Sequence, residues 1–126
     1  LGDVYKRQPL VGPSSIVMAV MASGLNGQSF AFNGYLPVKP PERVQAIRRF
    51  ERRAHAEGQS QLFIEAPYRN VKLMEQLLQT LAPETRLTVA MDITAPGEFI
   101  RTLRVREWRA AELPAMNKRP AIFIIG

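Results

Sequence analysis

The chain has 126 residues, 46% of them apolar and 22% charged, which is enough for one domain with one core and is not the composition of a disordered polymer. No apolar run approaches the roughly 20 residues of a membrane span, and the absence of cysteine excludes disulfides and thiolate metal sites. A formal charge of +6 favours polyanionic partners, RNA above all, against the plainer reading of a basic, solvated surface.

The opening octapeptide, Leu1-Gly2-Asp3-Val4-Tyr5-Lys6-Arg7-Gln8, resembles translated adaptor sequence, so the native domain is expected to cover residues 9–126. The start lacks the charged-then-apolar pattern of a secretory leader, and a cytoplasmic protein is expected. Pro9 to Ser15 reads as a strand end and a tight turn, with Ser14 or Ser15 placed to cap a helix. That helix, residues 16–22, is apolar all round, so it is predicted to be buried on most sides. Gly24 is its terminator.

Residues 29–36 alternate and are rich in aromatics, the pattern of a strand. Pro37, Pro40 and Pro41 stiffen the following loop, and Pro41 suits the first turn of a helix over residues 42–56. Val44, Ile47, Phe50 and Ala54 form the apolar stripe of that helix. Arg43, Arg48, Arg49, Arg52 and Arg53 are expected on its remaining faces, as phosphate contacts or as a plain solvated surface. A strand at 61–65 leads through a turn at Pro67-Tyr68-Arg69-Asn70 into a helix whose apolar face carries Val71, Met74, Leu77, Leu78 and Leu81. Strands are then predicted at 87–92, 98–105 and 121–125, with a loop at 94–97 and a short helix at 106–113. The alternation of helices and strands predicts an α/β domain, a mixed β-sheet flanked by helices.

Several chemistries are excluded. His55 is the only histidine and sits among arginines, so neither a Ser-His-Asp triad nor a histidine metal cluster is expected. There is no P-loop, no dinucleotide fingerprint and no conspicuous pair of acid–base carboxylates. What remains is a set of loops flanking apolar strands: Gly12-Pro13-Ser14-Ser15, Glu65-Ala66-Pro67-Tyr68-Arg69, Asp92-Ile93-Thr94 and Arg119-Pro120-Ala121. Open α/β sheets bind ligands at the carboxyl ends of their strands. The first three loops fit that rule, whereas the fourth precedes its strand and need not share their edge.

These segments carry a resemblance. Gly12-Pro13-Ser14 matches a P-G-P-S loop, Gly34-Tyr35-Leu36-Pro37 a G-[FY]-L-P segment, and Glu65-Ala66-Pro67-Tyr68-Arg69 an E-S-[PT]-[HY]-R segment. Residues 90–98 match, in altered form, an A-R-E-L-T-K-x-x-E segment. In this order, over residues 9–126, the motifs make the chain similar to the C-terminal domain of the tetrapyrrole (corrin/porphyrin) methylases, and most like their ribosomal RNA ribose 2′-O-methyltransferase branch. Where that branch has arginine, glutamate and lysine, this chain has Met91, Asp92 and Ala95.

The resemblance implies the C-terminal domain of the tetrapyrrole methylase fold, an S-adenosyl-L-methionine (SAM) pocket, and a parent methyltransferase active as a homodimer. Ser14 and Ser15 match the loop that meets the sugar and methionine portion of SAM. Glu65 and Thr94 match contacts at two strand ends, and Pro120 and Ala121 match the backbone that meets the adenine. Tyr35, Tyr68, Arg69 and Glu98 are the corresponding candidates on the substrate side. Catalytic residues are not assigned, and no metal is implied. The expected partners are an N-terminal domain of the same polypeptide, which would complete the pocket, and ribosomal RNA. A tetrapyrrole or another small molecule is the alternative acceptor, and a non-catalytic basic module binding RNA or protein is the alternative outside the enzymes. Taken singly, each site residue also has a plain structural reading: serines cap helices, Pro120 and Ala121 start a strand, and Glu65 pairs with Arg69 across its turn.

Overall fold

The computed structural model describes residues 13–24 and 29–126, with only the backbone of Pro13 and Ser14. The expected leader at 1–8 and the turn at Gly12 lie outside the described residues. The elements in chain order are α1 (Pro13–Ser23), β1 (Phe30–Tyr35), α2 (Pro40–Glu57), β2 (Ser60–Ile64), a 3-10 turn (Pro67–Arg69), α3 (Asn70–Thr80), β3 (Arg86–Met91), β4 (Phe99–Arg104), α4 (Val105–Ala110) and β5 (Ala121–Ile125).

Two devices set the bounds of α2. Proline at its first turn supplies a preset φ where no N–H is needed. Gly58 ends it in the left-handed region at φ 61°, donating its N–H to the Ala54 carbonyl. The strand expected at 98–105 stops one residue short, because the backbone is captured at this point. The Arg104 N–H donates to Glu107 Oε1 at 2.9 Å and the Val105 N–H to the Thr85 carbonyl at 2.9 Å, which turns the chain into α4.

The five strands form one mixed sheet in the order β1-β2-β5-β3-β4. β1 and β2 are parallel, joined by the α2 crossover, while β5 runs antiparallel between β2 and β3, and β4 antiparallel beside β3. One face of the sheet carries Phe63, Phe123, Leu87, Val89 and Ile125, packed under α2, α3 and α4. Phe63 lies between the rings of Phe50 and Phe123, with centroids 6.3 and 6.0 Å apart. Trp108 of α4 is fully buried and donates its indole N–H to the Leu87 carbonyl at 2.8 Å. The other face, with Leu62, Ala90, Ile122 and Ile124, packs against Ala19 and Val20 of α1. Burial on both faces explains why β5 reads as an unbroken apolar run.

Three expectations need correction. α1 is not buried on most sides: one stripe, Ala19, Val20 and Ser23, meets the sheet, while Val17, Met18 and Met21 are 47%, 41% and 76% exposed. A helix that packs on a single sheet face buries one stripe whatever its composition. Ser14 and Ser15 lie inside the first turn of α1, which begins at Pro13, and not ahead of it. Arg43 does not face water; it is buried, in the same stripe as Ile47, Phe50 and Ala54.

Candidate functional site

Strand direction decides where the loops meet. β1, β2 and β3 point one way, and β4 and β5 the other. The pairs Tyr35↔Ile64, Ile64↔Ile122, Ala121↔Met91 and Met91↔Phe99 therefore form a row along a single edge of the sheet. The loop at Arg119-Pro120-Ala121 precedes its strand, but that strand is antiparallel, so it joins the loops after β1, β2 and β3 at this edge. Tyr35, Glu65, Tyr68, Arg69, Thr94, Glu98, Pro120 and Ala121 are thus brought together. Ser15 is half-buried in α1 on one face of the sheet, and the side chain of Ser14 lies outside the described residues.

The loop after β2 is built on a buried ion pair. Glu65 Oε2 meets Arg43 Nη2 at 2.5 Å, with the two side chains 3% and 4% exposed. Arg43 also donates from Nε to the Pro37 carbonyl at 2.8 Å and from Nη1 to Gln76 Oε1 at 3.1 Å. Glu65 Oε1 accepts the Ala66 N–H at 2.7 Å. Arg69, the partner suggested by spacing, stands 4.0 Å away and is a secondary neighbour. One guanidinium therefore ties α2, the loop after β1, the loop after β2 and α3 to one another. The carboxylate of Glu65 is taken up in that work.

A second arginine organises the other half of the edge. Arg119 donates from Nε to Asp92 Oδ2 at 2.6 Å, from Nη1 to the Ala115 carbonyl at 2.7 Å, and from Nη2 to the Gly97 carbonyl at 2.7 Å. The Asp92 N–H donates to the Pro120 carbonyl at 3.0 Å, and the Thr94 N–H to Glu98 Oε1 at 2.9 Å. A Cβ at Gly97 would stand 3.3 Å from Asp92 Oδ2, so the small residue lets this loop close on Arg119. Asp92, Thr94 and Lys118 all adopt positive φ, at 52°, 68° and 66°. Backbone held in this sparsely populated region gathers at functional sites, and here all three residues border one edge. Asn70, fully buried, fastens the two halves by donating to the carbonyls of Met116 and Arg119 at 2.9 and 2.8 Å.

Beside the loop after β2 lies a cleft of about 270 Å³ between residues 38–43 and the start of α3, lined in part by Arg43, Arg69 and Lys72. Tyr68 forms its rim, 64% exposed, with the Arg69 guanidinium 4.9 Å from the ring centroid. Sequence reasoning missed Arg43, Arg119, Lys72 and Asn70. For Arg43 a signal existed: positions 43, 47, 50 and 54 follow helical spacing, so the arginine belongs to the apolar stripe. For Arg119 none did, since its partners lie 22 and 27 residues away.

No protein-family model matches the chain. Among curated proteins it is 29% identical over 102 residues to the ribosomal RNA small subunit methyltransferase I of Vibrio cholerae, covering 81% of this chain and 34% of that protein. It is 31% identical over 107 residues to the protein of the same name from Neisseria meningitidis serogroup B, covering 85% of this chain and 35% of that protein. The chain thus spans about a third of the length of these relatives. Among solved structures, the methyltransferase CobJ superposes with a TM-score of 0.56 at 19% identity, covering 88% of this chain and 46% of that one, a likeness of fold. The chain is thus similar in sequence to one part of the ribosomal RNA small subunit methyltransferases I, and over the same span it shares the fold of CobJ.

Proposed function

We propose that the chain carries one part of the site of a SAM-dependent methyltransferase that acts on ribosomal RNA, at a ribose 2′-oxygen. The observation that carries this reading is the meeting of Glu65, Thr94, Glu98, Pro120 and Ala121 on one sheet edge, in a chain related by sequence to ribosomal RNA methyltransferases. The residues fit the cofactor. The carboxylates of Glu65 and Asp92 are already paired with Arg43 and Arg119, so the edge offers backbone, small side chains and the exposed hydroxyl of Thr94. Such a surface suits a flat adenine and a ribose. When bound, SAM supplies the methyl group from its sulfonium. The part of this chain is to hold donor and acceptor in line, since direct displacement depends on alignment. Arg119 fastens the loop at Asp92 and Gly97 to the loop at Ala115, and Glu65 acts as a strut beneath its own loop. Tyr35, Tyr68, Arg69 and Glu98 border the acceptor side.

On this reading the rest of the pocket, with Ser14 and Ser15 at its margin, comes from polypeptide beyond these 126 residues. The enzyme works in the cytoplasm as a homodimer, and the exposed apolar side of α1 contributes to subunit contact. The test is transfer of labelled methyl from SAM to small-subunit ribosomal RNA. The 126-residue chain alone is expected to give none. A chimera that joins it to the amino-terminal portion of the Vibrio cholerae relative is expected to methylate. Transfer by the chain alone would overturn the half-site reading, and a SAM-binding chimera that methylates only small molecules would overturn the RNA reading.

A further inference from the structure

We propose that the cleft between the β1–α2 loop and α3 is a phosphate-binding subsite for single-stranded RNA, with Tyr68 as the stacking platform for an adjoining base. The inference rests on the RNA reading above and gives it a place on the surface.

Arg43, Arg69 and Lys72 line the cleft with no carboxylate among the lining residues, and the Glu65 carboxylate behind them is held by Arg43. The local balance is therefore cationic. The three cations differ in their freedom. Arg43 is buried and spends its donors on Glu65, Pro37 and Gln76, so it fixes the floor. Arg69 is 35% exposed and only 4.0 Å from Glu65, a distance too long for a strong bond, so its fork remains available to an anion. Lys72 stands on the exposed face of α3 and makes no ion pair among the described residues. Tyr68 presents its ring at the rim, one side approached by the Arg69 guanidinium and most of its surface open. An exposed aromatic next to cations is the combination that binds single-stranded nucleic acid, charges following the backbone and the ring taking a base.

Size chooses between occupants. At about 270 Å³ the cleft falls just below the roughly 300–1,000 Å³ of ordinary small-molecule pockets, so it holds one nucleotide-sized group and not a macrocycle. Its walls follow β1 and β2, at the same sheet edge as the loops that carry Thr94 and Pro120. Phosphate contacts of this kind set register without reading sequence.

The experiment measures binding of the 126-residue chain to a labelled single-stranded RNA of about ten nucleotides by fluorescence anisotropy, over a range of salt. Arg69→Gln with Lys72→Gln is expected to lower affinity about tenfold at physiological salt and to reduce the slope of log K against log salt by roughly 1.4, about 0.7 per lost contact. Lys72→Gln alone, on an exposed helix face where folding is not at risk, is expected to remove half of that slope change. Tyr68→Leu is expected to lower affinity about tenfold and leave the slope unchanged. An unchanged affinity and slope in Lys72→Gln and in the double variant overturns the proposal. So does an equal loss from Arg48→Gln with Arg52→Gln on α2, which would spread the binding over the whole basic surface. A parallel titration with S-adenosylhomocysteine separates the two readings, because loss of the cleft leaves cofactor contacts at residues 92–94 intact, while failure of the methyltransferase reading removes them.

Discussion

Arg43 and Glu65 show how far a single residue can depend on its partner. An ion pair with both side chains at 4% exposure or less has lost its hydration, and its stability rests on the pair and the surrounding hydrogen bonds. Arg43→Met leaves the Glu65 carboxylate buried and uncompensated. The expected cost is roughly 3–5 kcal/mol in urea denaturation. Arg43→Met with Glu65→Leu removes both charges and is expected to recover most of that loss. If the double variant is as unstable as the single one, the pair is not the source of the effect. Arg119 differs, since its side chain and that of Asp92 are 26% and 21% exposed and water screens the pair. Its replacement by methionine is expected to loosen the loops at 92–98 and 115–120 more than it lowers stability. Weaker binding of S-adenosylhomocysteine at an almost unchanged thermal midpoint is the signature, and a large fall in midpoint with unchanged binding would contradict it.

At the scale of elements, the sequence was most readable where one force acted alone. α2 and α3 carry long amphipathic patterns, and β5 is apolar and buried on both faces, so their identities follow from periodicity. Gly58 ends α2 in a conformation that a Cβ disfavours. Gly58→Ala is accordingly expected to cost about 1–2 kcal/mol, although nothing lies within 4 Å of the added methyl group. An unchanged unfolding midpoint would show that the helix end relaxes freely. Periodicity failed for α1, because an all-apolar helix gives no stripe to read and its exposure depends on what else covers it. It failed also at 98–105, where the end of β4 is set by hydrogen bonds to Thr85 and Glu107. Phe63, stacked between Phe50 and Phe123 at 0% exposure, gives the contrasting case to Met21 at 76%. Phe63→Ala is expected to cost about 3–5 kcal/mol, and Met21→Ser no more than about 0.5 kcal/mol.

Over the whole molecule, the candidate site is a consequence of topology. Four separate loops share an edge because β5 enters the sheet antiparallel between β2 and β3. Local sequence names the loops, but only the strand order puts the loop before β5 beside the loops after β2 and β3. The long-range partners of Arg119 and Asn70 then hold that edge in one arrangement. The charge of +6 acts at the same scale, since a net charge favours ions of opposite sign over a whole surface without selecting a position on it.

The central claim is that this edge is a SAM half-site. Its most direct test is a nuclear magnetic resonance titration of the 126-residue chain with S-adenosylhomocysteine. Amide shifts are expected at Glu65 and Ala66, from Asp92 to Thr94, and at Ala121 and Ile122, with the opposite end of the sheet near Arg86 and Glu107 unmoved. Shifts confined to that opposite end, or none at millimolar ligand in a folded chain, would contradict it.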